Sequence, residues 1–226
     1  MSAQDDYAHE LSQDVERALE AFYESDTAYS RRIVVRLFAS AVEGHTYGLK
    51  QRCLARLQKE PRLYSIDEAA LLMEENYSLG KDARPHARPQ FAPTAESFEF
   101  ALKMFVKDTT PELDIRSDRP GWTMFTRAFT IRNRITHPKS RADLVVSDEE
   151  FACVQHSHLW FETTLMSALV ESSLLLHEQA ARARGEILAM GKAPSASSSS
   201  AIIPQNVLAE WKERLDAKRR GLQALR

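Results

Sequence analysis

Residues 147–187 read SDEEFACVQHSHLWFETTLMSALVESSLLLHEQAARARGEI, and this stretch sets the fold class. Its apolar residues Phe151, Val154, Phe161, Leu165, Leu169, Leu176 and Ala180 follow a helical pattern, and no proline interrupts the chain before Pro194. Ser147 and Glu150 have the Ser-x-x-Glu spacing of a capping box, and Asp148 and Glu149 add negative charge where the helix dipole favours it. Taken as one helix it runs for about 40 residues, on the order of 60 Å. That is longer than one small bundle needs, and a helix of this reach is expected to pack against a second protomer.

Working outward, the upstream chain has the same period. Leu11, Val15, Ala18, Leu19 and Phe22 mark a first amphipathic helix over Ala8 to Glu24. A longer one from about Thr27 to Leu57 carries Ile33, Val34, Leu37, Phe38, Ala41, Val42, Leu49, Cys53 and Leu57. Ser65-Ile66-Asp67-Glu68 is a second capping box, expected to open a short helix to Tyr77. Gly80, Pro85, Pro89 and Pro93 mark residues 78–94 as a loop, and residues 108–121 read as a second connection. Between the two, Phe98, Ala101, Leu102, Phe105 and Val106 predict a helix over Ala95 to Lys107. Helical spacing resumes from Trp122 to about Thr136, and Pro138 stops it, since the residue before a proline is pushed away from the α region. No stretch alternates for long enough to predict a sheet. The fold class is therefore all-α.

Composition agrees. Seven Gly and nine Pro in 226 residues are few, and helices are what tolerate so little punctuation. The length suits one good-sized domain with an appendage: a helical domain over 1–192, a Pro-Ser-Ala-rich linker over 193–203 and an amphipathic helix over 204–226. Two cysteines, Cys53 and Cys153, exclude a disulfide framework or a four-sulfur zinc site, and a reducing compartment is expected. The acidic N-terminus does not read as a secretory or transit signal. The longest apolar run, Leu165 to Val170, includes Ser167 and is far short of the roughly 18 residues of a membrane span. These features lead to the expectation of a cytoplasmic protein without a membrane partner. The net charge of -2 hides an uneven distribution. Residues 116–141 hold seven Lys and Arg against Asp118 alone, which suggests one confined anion-binding site on an acidic scaffold.

Within that basic stretch lies Phe129-Thr130-Ile131-Arg132-Asn133-Arg134-Ile135-Thr136-His137-Pro138-Lys139. Asn directly after Arg, with His five positions beyond the Arg, is the least accidental pattern in the chain. The segment resembles the active-site signature of the HEPN superfamily (higher eukaryotes and prokaryotes nucleotide-binding): an Arg, a polar residue and a His near the end of a late helix of a helical bundle. The resemblance implies a HEPN-like bundle with a long final helix and a tethered C-terminal helix. It further implies a metal-independent endoribonuclease of a bacterial toxin or antiviral defence type, in which the Arg and His of two protomers line one cleft. No cofactor is implied. One branch of the family places a Tyr shortly after the His for modification by a partner nucleotidyltransferase; here Pro138-Lys139-Ser140 follows instead.

The chemistry of the residues fits that implication. Asn133 and His137 are four apart and share a helix face, whereas Arg132 and His137 are about 140° apart on an ideal helix. They converge if the long Arg reaches over, if the helix frays before Pro138, or if a second protomer supplies one of them. An imidazole at a helix C-terminus lies where positive charge is favoured, which suits a general acid protonating a leaving 5′ oxygen. Arg132 would stabilise a pentacoordinate phosphorane, and Asn133 would position a phosphate oxygen or the ribose 2′-hydroxyl. Arg127, Arg134, Lys139 and Arg141 are candidate contacts to the RNA backbone.

Other residues have plainer readings. Arg36, Glu43 and Lys50 recur every seven residues beside the apolar stripe of the second helix; a solvated polar edge is the ordinary explanation, and Glu43 as the carboxylate partner of Arg132 is the alternative. His45 reads as a hydrogen-bonded core histidine. His156 and His158 point about 200° apart on a helix, which argues against shared metal ligation. A DNA-binding repressor lacks any recognition-helix signature here. The tail from Pro204 carries Val207, Leu208, Trp211, Leu215, Leu222 and Leu225 on one side and reads as a docking helix for an antitoxin or regulatory protein. A non-catalytic helical module that dimerises through its long helix and binds a partner through this tail remains the alternative to the nuclease.

Overall fold

A computed structural model describes residues 3–79, 84–90 and 92–189. The fold is all-α: six α-helices, with one short two-stranded ribbon among the described residues. The expected linker and C-terminal helix, 193–203 and 204–226, lie outside the described residues. The chain divides into two compact units, one of residues 1–105 and 115–158 and the other of residues 106–114 and 159 onward, so the predicted 1–192 region holds parts of both.

In the first unit, helix α1 (Ala3–Glu24) lies on α2 (Ala28–Lys59). The close approach is at Gly44, where a side chain would collide with Leu11 and where the Tyr7 hydroxyl donates to the Gly44 carbonyl at 3.1 Å. Thr27 caps α2 and exchanges hydrogen bonds with Ser30, a capping box whose hydroxyl takes the usual Glu's place. Ser65 and Glu68 form the expected box at α3 (Ile66–Leu72).

The predicted helix to Tyr77 ends at Leu72, and its last residues together with the predicted 78–94 loop supply an antiparallel ribbon, β1 (Glu75–Leu79) with β2 (Pro85–Pro89). The change of direction is made at Glu74, which adopts a left-handed φ of 57°. Its carboxylate accepts from Lys50 at 2.7 Å, and its carbonyl accepts from the Gln90 N–H at 2.8 Å. Prolines at both ends of β2 are compatible with a ribbon because each strand is an edge and half its N–H groups need no partner.

Helices α4 (Thr94–Phe105) and α5 (Arg119–Thr136) complete this unit with the start of α6 (Asp148–Ala189), up to His158. α5 begins three residues before the expected Trp122, because Asp118 accepts from the Gly121 N–H and Pro120 is tolerated in the first turn. Helix α2 is the hub, packing on α1, α4 and α5. Between them lies an aromatic cluster: Phe125, fully buried, sits 5.6 Å from Phe98, 5.2 Å from Phe129 and 6.3 Å from Phe38, ring centre to ring centre. These rings fix α5 lengthwise and rotationally, and so aim its C-terminus.

In the second unit, Thr109 donates to the Ser172 hydroxyl at 3.3 Å, and Trp160, Phe161, Leu165, Ala168 and Val170 are buried. Between Asp148 and Glu178, α6 reaches a mean hydropathy of 1.2, enough by length and composition for a membrane span. Core helices of water-soluble proteins reach the same value.

Candidate active site

The C-terminal half of α5 carries the candidate residues. Its last regular hydrogen bond runs from the His137 N–H to the Asn133 carbonyl at 3.0 Å. His137 then leaves the helix at φ -121° and ψ 59°, as Pro138 requires. The imidazole is exposed and has no hydrogen-bond partner among the described residues.

The next turn is held by Asp143, whose carboxylate accepts from the Lys139 and Ser140 N–H groups at 2.8 Å each. The hydrogen bond from Lys139 leads in keeping this carboxyl below its usual range. Arginines then tie the returning strand of chain to the helices. Arg134 donates to the carbonyls of Asp143 (3.0 Å) and Val145 (2.9 Å) and to Glu150 (2.7 Å). From α2, Arg32 reaches the Leu144 carbonyl, Arg31 the Val146 carbonyl, and Arg36 the Ile135 carbonyl. The carbonyls near a helix end lack intrahelical partners, so Arg36 acts as a remote C-cap for α5.

Arg132 takes the alternative reading of the sequence. Its Nη2 donates to Glu43 Oε1 at 2.6 Å across 89 residues, and its Nη1 donates to Asn133 Oδ1 at 3.1 Å. Glu43 also accepts from the Thr94 hydroxyl at 3.4 Å, at the start of α4. The guanidinium thus reaches over its own helix to Asn133, which shares the face of His137. The Arg36, Glu43 and Lys50 series is a working edge: Lys50, 5% exposed, donates to Glu74 and Ser97 at 2.7 Å each.

Comparison with known families, characterised proteins and solved structures finds no match to the chain. Its chemistry must be read from its own side chains.

The local charge of the sequence stretch changes in three dimensions. Arg127 pairs with Glu149 at 3.0 Å, Arg134 with Glu150, Arg132 with Glu43, and Arg116 with Glu99 at 2.6 Å. The hydrogen bond to Glu149 raises the Arg127 pKa above its ordinary value. Arg116 and Arg119 lie at the opposite end of an 18-residue helix from His137, about 27 Å away. Lys139 and Arg141 are exposed and have no carboxylate partner among the described residues. Of the predicted cations, these two and Arg132 are the ones best placed to meet an anion beside His137.

Two grooves open at the start of α4. One, of about 250 Å³, is lined by Glu43, Thr46, Tyr47, Glu74, Ala92, Thr94 and Ser97. The other, of about 370 Å³, runs along Thr126, Phe129, Thr130 and Asn133 of α5 and is closed by Ala92, Pro93 and the first turn of α4. Sequence spacing shows Asn133 and His137 on one face, but the groove depends on α4, which no local pattern ties to α5.

The remaining candidates have structural partners. His45 meets the Ser12 hydroxyl at 2.9 Å, and His156 Nδ1 meets the Ala152 carbonyl at 2.7 Å. Among the described residues no group of three or more His, Cys, Asp or Glu is arranged to hold a metal ion. Both cysteines are buried, and burial raises the Cys153 thiol pKa.

Proposed function

We propose that the chain is a metal-independent endoribonuclease of HEPN type, acting in the cytoplasm as a homodimer with a composite site, in the manner of a toxin or antiviral defence effector. The observation that carries this reading is the chain Glu43–Arg132–Asn133 ending beside the exposed His137. A guanidinium held by a carboxylate on one side keeps N–H groups for phosphate on the other, at little entropic cost during reaction. In the reaction the ribose 2′-hydroxyl attacks phosphorus and the P–O5′ bond breaks. The protonated imidazole of His137 gives its proton to the departing 5′ oxygen. Arg132 balances the charge of the phosphorane, and Asn133 orients a phosphate oxygen or the 2′-hydroxyl. His137 of the partner subunit takes the 2′ proton, leaving a 2′,3′-cyclic phosphate. Lys139 and Arg141 follow the backbone, while Arg127 and Arg134 hold the framework. An antitoxin or regulatory protein engages residues 204–226.

The alternative is a non-catalytic helical interaction module, favoured by one observation: Arg127, Arg132 and Arg134 each already have a carboxylate partner. Incubation of purified protein with RNA in EDTA separates the two. The nuclease reading expects cleavage to cyclic phosphate ends, lost in Arg132→Ala and His137→Ala. Equal cleavage by all three proteins would point to a contaminant and remove it.

A further inference from the structure

The 370 Å³ groove beside Asn133 has a chemical pattern of its own. Thr126 donates its hydroxyl hydrogen to the carbonyls of Trp122 (3.2 Å) and Thr123 (3.0 Å), and Thr130 donates to the Thr126 carbonyl at 3.4 Å. With their hydrogens committed to the helix, these hydroxyls offer lone pairs to a ligand. Glu96, the one titratable residue on the lining among the described residues, adds a carboxylate. At the motif end the pattern reverses: Asn133 Oδ1 is taken by Arg132, so the amide presents its NH₂. The apolar portion of the wall is Phe129, Ala92, Pro93 and Ala95.

This combination argues against a phosphate. The start of α4 contributes roughly half a positive charge, and the carboxylate of Glu96 outweighs it. A flat, partly apolar ligand with adjacent N–H donors and one acceptor fits instead. Guanine offers N1–H and N2–H side by side with O6 next to them. Adenine and cytosine each present a single exocyclic amine next to a ring-nitrogen acceptor, and uracil a single N–H between two carbonyls.

We propose that this groove is a nucleobase subsite for guanine, with N1–H and N2–H directed at Glu96 and the threonine hydroxyls and O6 at one N–H of the Asn133 amide, whose other N–H stays with the phosphate. The inference rests on the nuclease reading for its role: it places a base next to the phosphate held by Arg132 and gives the enzyme a sequence preference. Its physical basis, selective binding, is independent of cleavage.

The test titrates 3′-GMP, 3′-AMP, 3′-CMP and 3′-UMP into the full chain carrying His137→Ala, following backbone amide shifts. The expected result is shifts at Thr126, Thr130 and Asn133, with 3′-GMP binding about tenfold more tightly than the others, the worth of one charge-assisted hydrogen bond. Glu96→Gln and Thr130→Val should each erode that selectivity while leaving the fold intact, since both positions are exposed. Equal binding of all four nucleotides, absence of shifts along the groove, or unchanged selectivity in Glu96→Gln overturns the subsite. Sequencing of RNA ends from the wild-type protein adds the functional arm, with guanine expected at one fixed position beside the cut. Cleavage without base preference removes the subsite and leaves the nuclease; selective 3′-GMP binding without cleavage removes the nuclease and leaves the subsite.

Discussion

Replacing Arg134 with Met tests whether this residue anchors the fold or contacts substrate. The side chain is 29% exposed and makes three charge-assisted hydrogen bonds, to the carbonyls of Asp143 and Val145 and to Glu150. Hydrogen bonds to charged groups contribute about 1.5–3 kcal/mol each when well shielded. Here Val145 is exposed, and its carbonyl can return to water, so about 1 kcal/mol per carbonyl is the better figure. The pair with Glu150, itself 23% exposed, adds about 0.5–1 kcal/mol. Methionine keeps most of the aliphatic packing, so the expected loss is about 2–3 kcal/mol. For a chain of this size that lowers Tm by about 5–10 °C. Urea unfolding gives the free energy, and amide hydrogen exchange over residues 141–147 should accelerate, because two tethers of that segment, at Asp143 and Val145, are removed and a third just beyond it, at Glu150, goes with them. A variant within about 0.5 kcal/mol of wild type, with unchanged exchange but weakened RNA binding, would refute the reasoning and return Arg134 to the substrate contacts.

On the nuclease reading, Glu43→Ala should lower kcat for RNA cleavage on the order of 10–100-fold with little change in KM, because it releases the guanidinium that this reading sets against the phosphate; a change confined to KM would deny it a positioning role, and Glu43→Asp should recover part of the rate. Phe125→Ala empties the centre of the aromatic cluster and should cost about 3–5 kcal/mol in denaturant unfolding; a loss below about 1 kcal/mol would mean that α5 is held mainly from its ends. For Glu99, burial pushes the carboxyl pKa up, but the hydrogen bonds from Arg116 and Lys103 outweigh it and leave the value below the ordinary one. A lowered folded-state pKa contributes stability above the ordinary Glu value, roughly 4.3, and loses it as pH falls through the folded value. Glu99→Gln should therefore cost about 1–3 kcal/mol at pH 7, less than a fully buried pair because Arg116 and Lys103 are partly exposed. Wild type and variant should converge in acid; an equal gap at both ends of the titration would contradict the linkage. Lys139→Ala with Arg141→Ala should weaken RNA binding and its salt dependence while leaving stability within about 0.5 kcal/mol, the opposite of Arg134→Met.

The elements most legible in the sequence were those governed by neighbours a few residues away. The boxes at Ser65–Glu68 and Ser147–Glu150 form as their spacing indicates. The Thr27–Ser30 box was hidden because a serine hydroxyl stands where a carboxylate is usually sought. The ribbon was missed for a related reason: Pro85 and Pro89 read as loop residues, and only pairing with β1 shows that both occupy positions an edge strand tolerates.

By itself, then, the sequence determined that the chain is helical, where α5 ends, and that Asn133 and His137 share its last face, because helix period, capping and the restriction before Pro138 are all local. Tertiary structure alone decided which charges are available. The run of cations around Arg132 is uncompensated only along the chain; folding brings Glu43, Glu99, Glu149 and Glu150 to it from other helices. Coulomb attraction acts through space, so pairs separated by up to 89 residues leave no local spacing to read, and the sequence offered Glu43 to Arg132 only as the less ordinary alternative. The same holds for the groove at Asn133, whose second wall is supplied by α4 only once the aromatic cluster has set the packing of the helices.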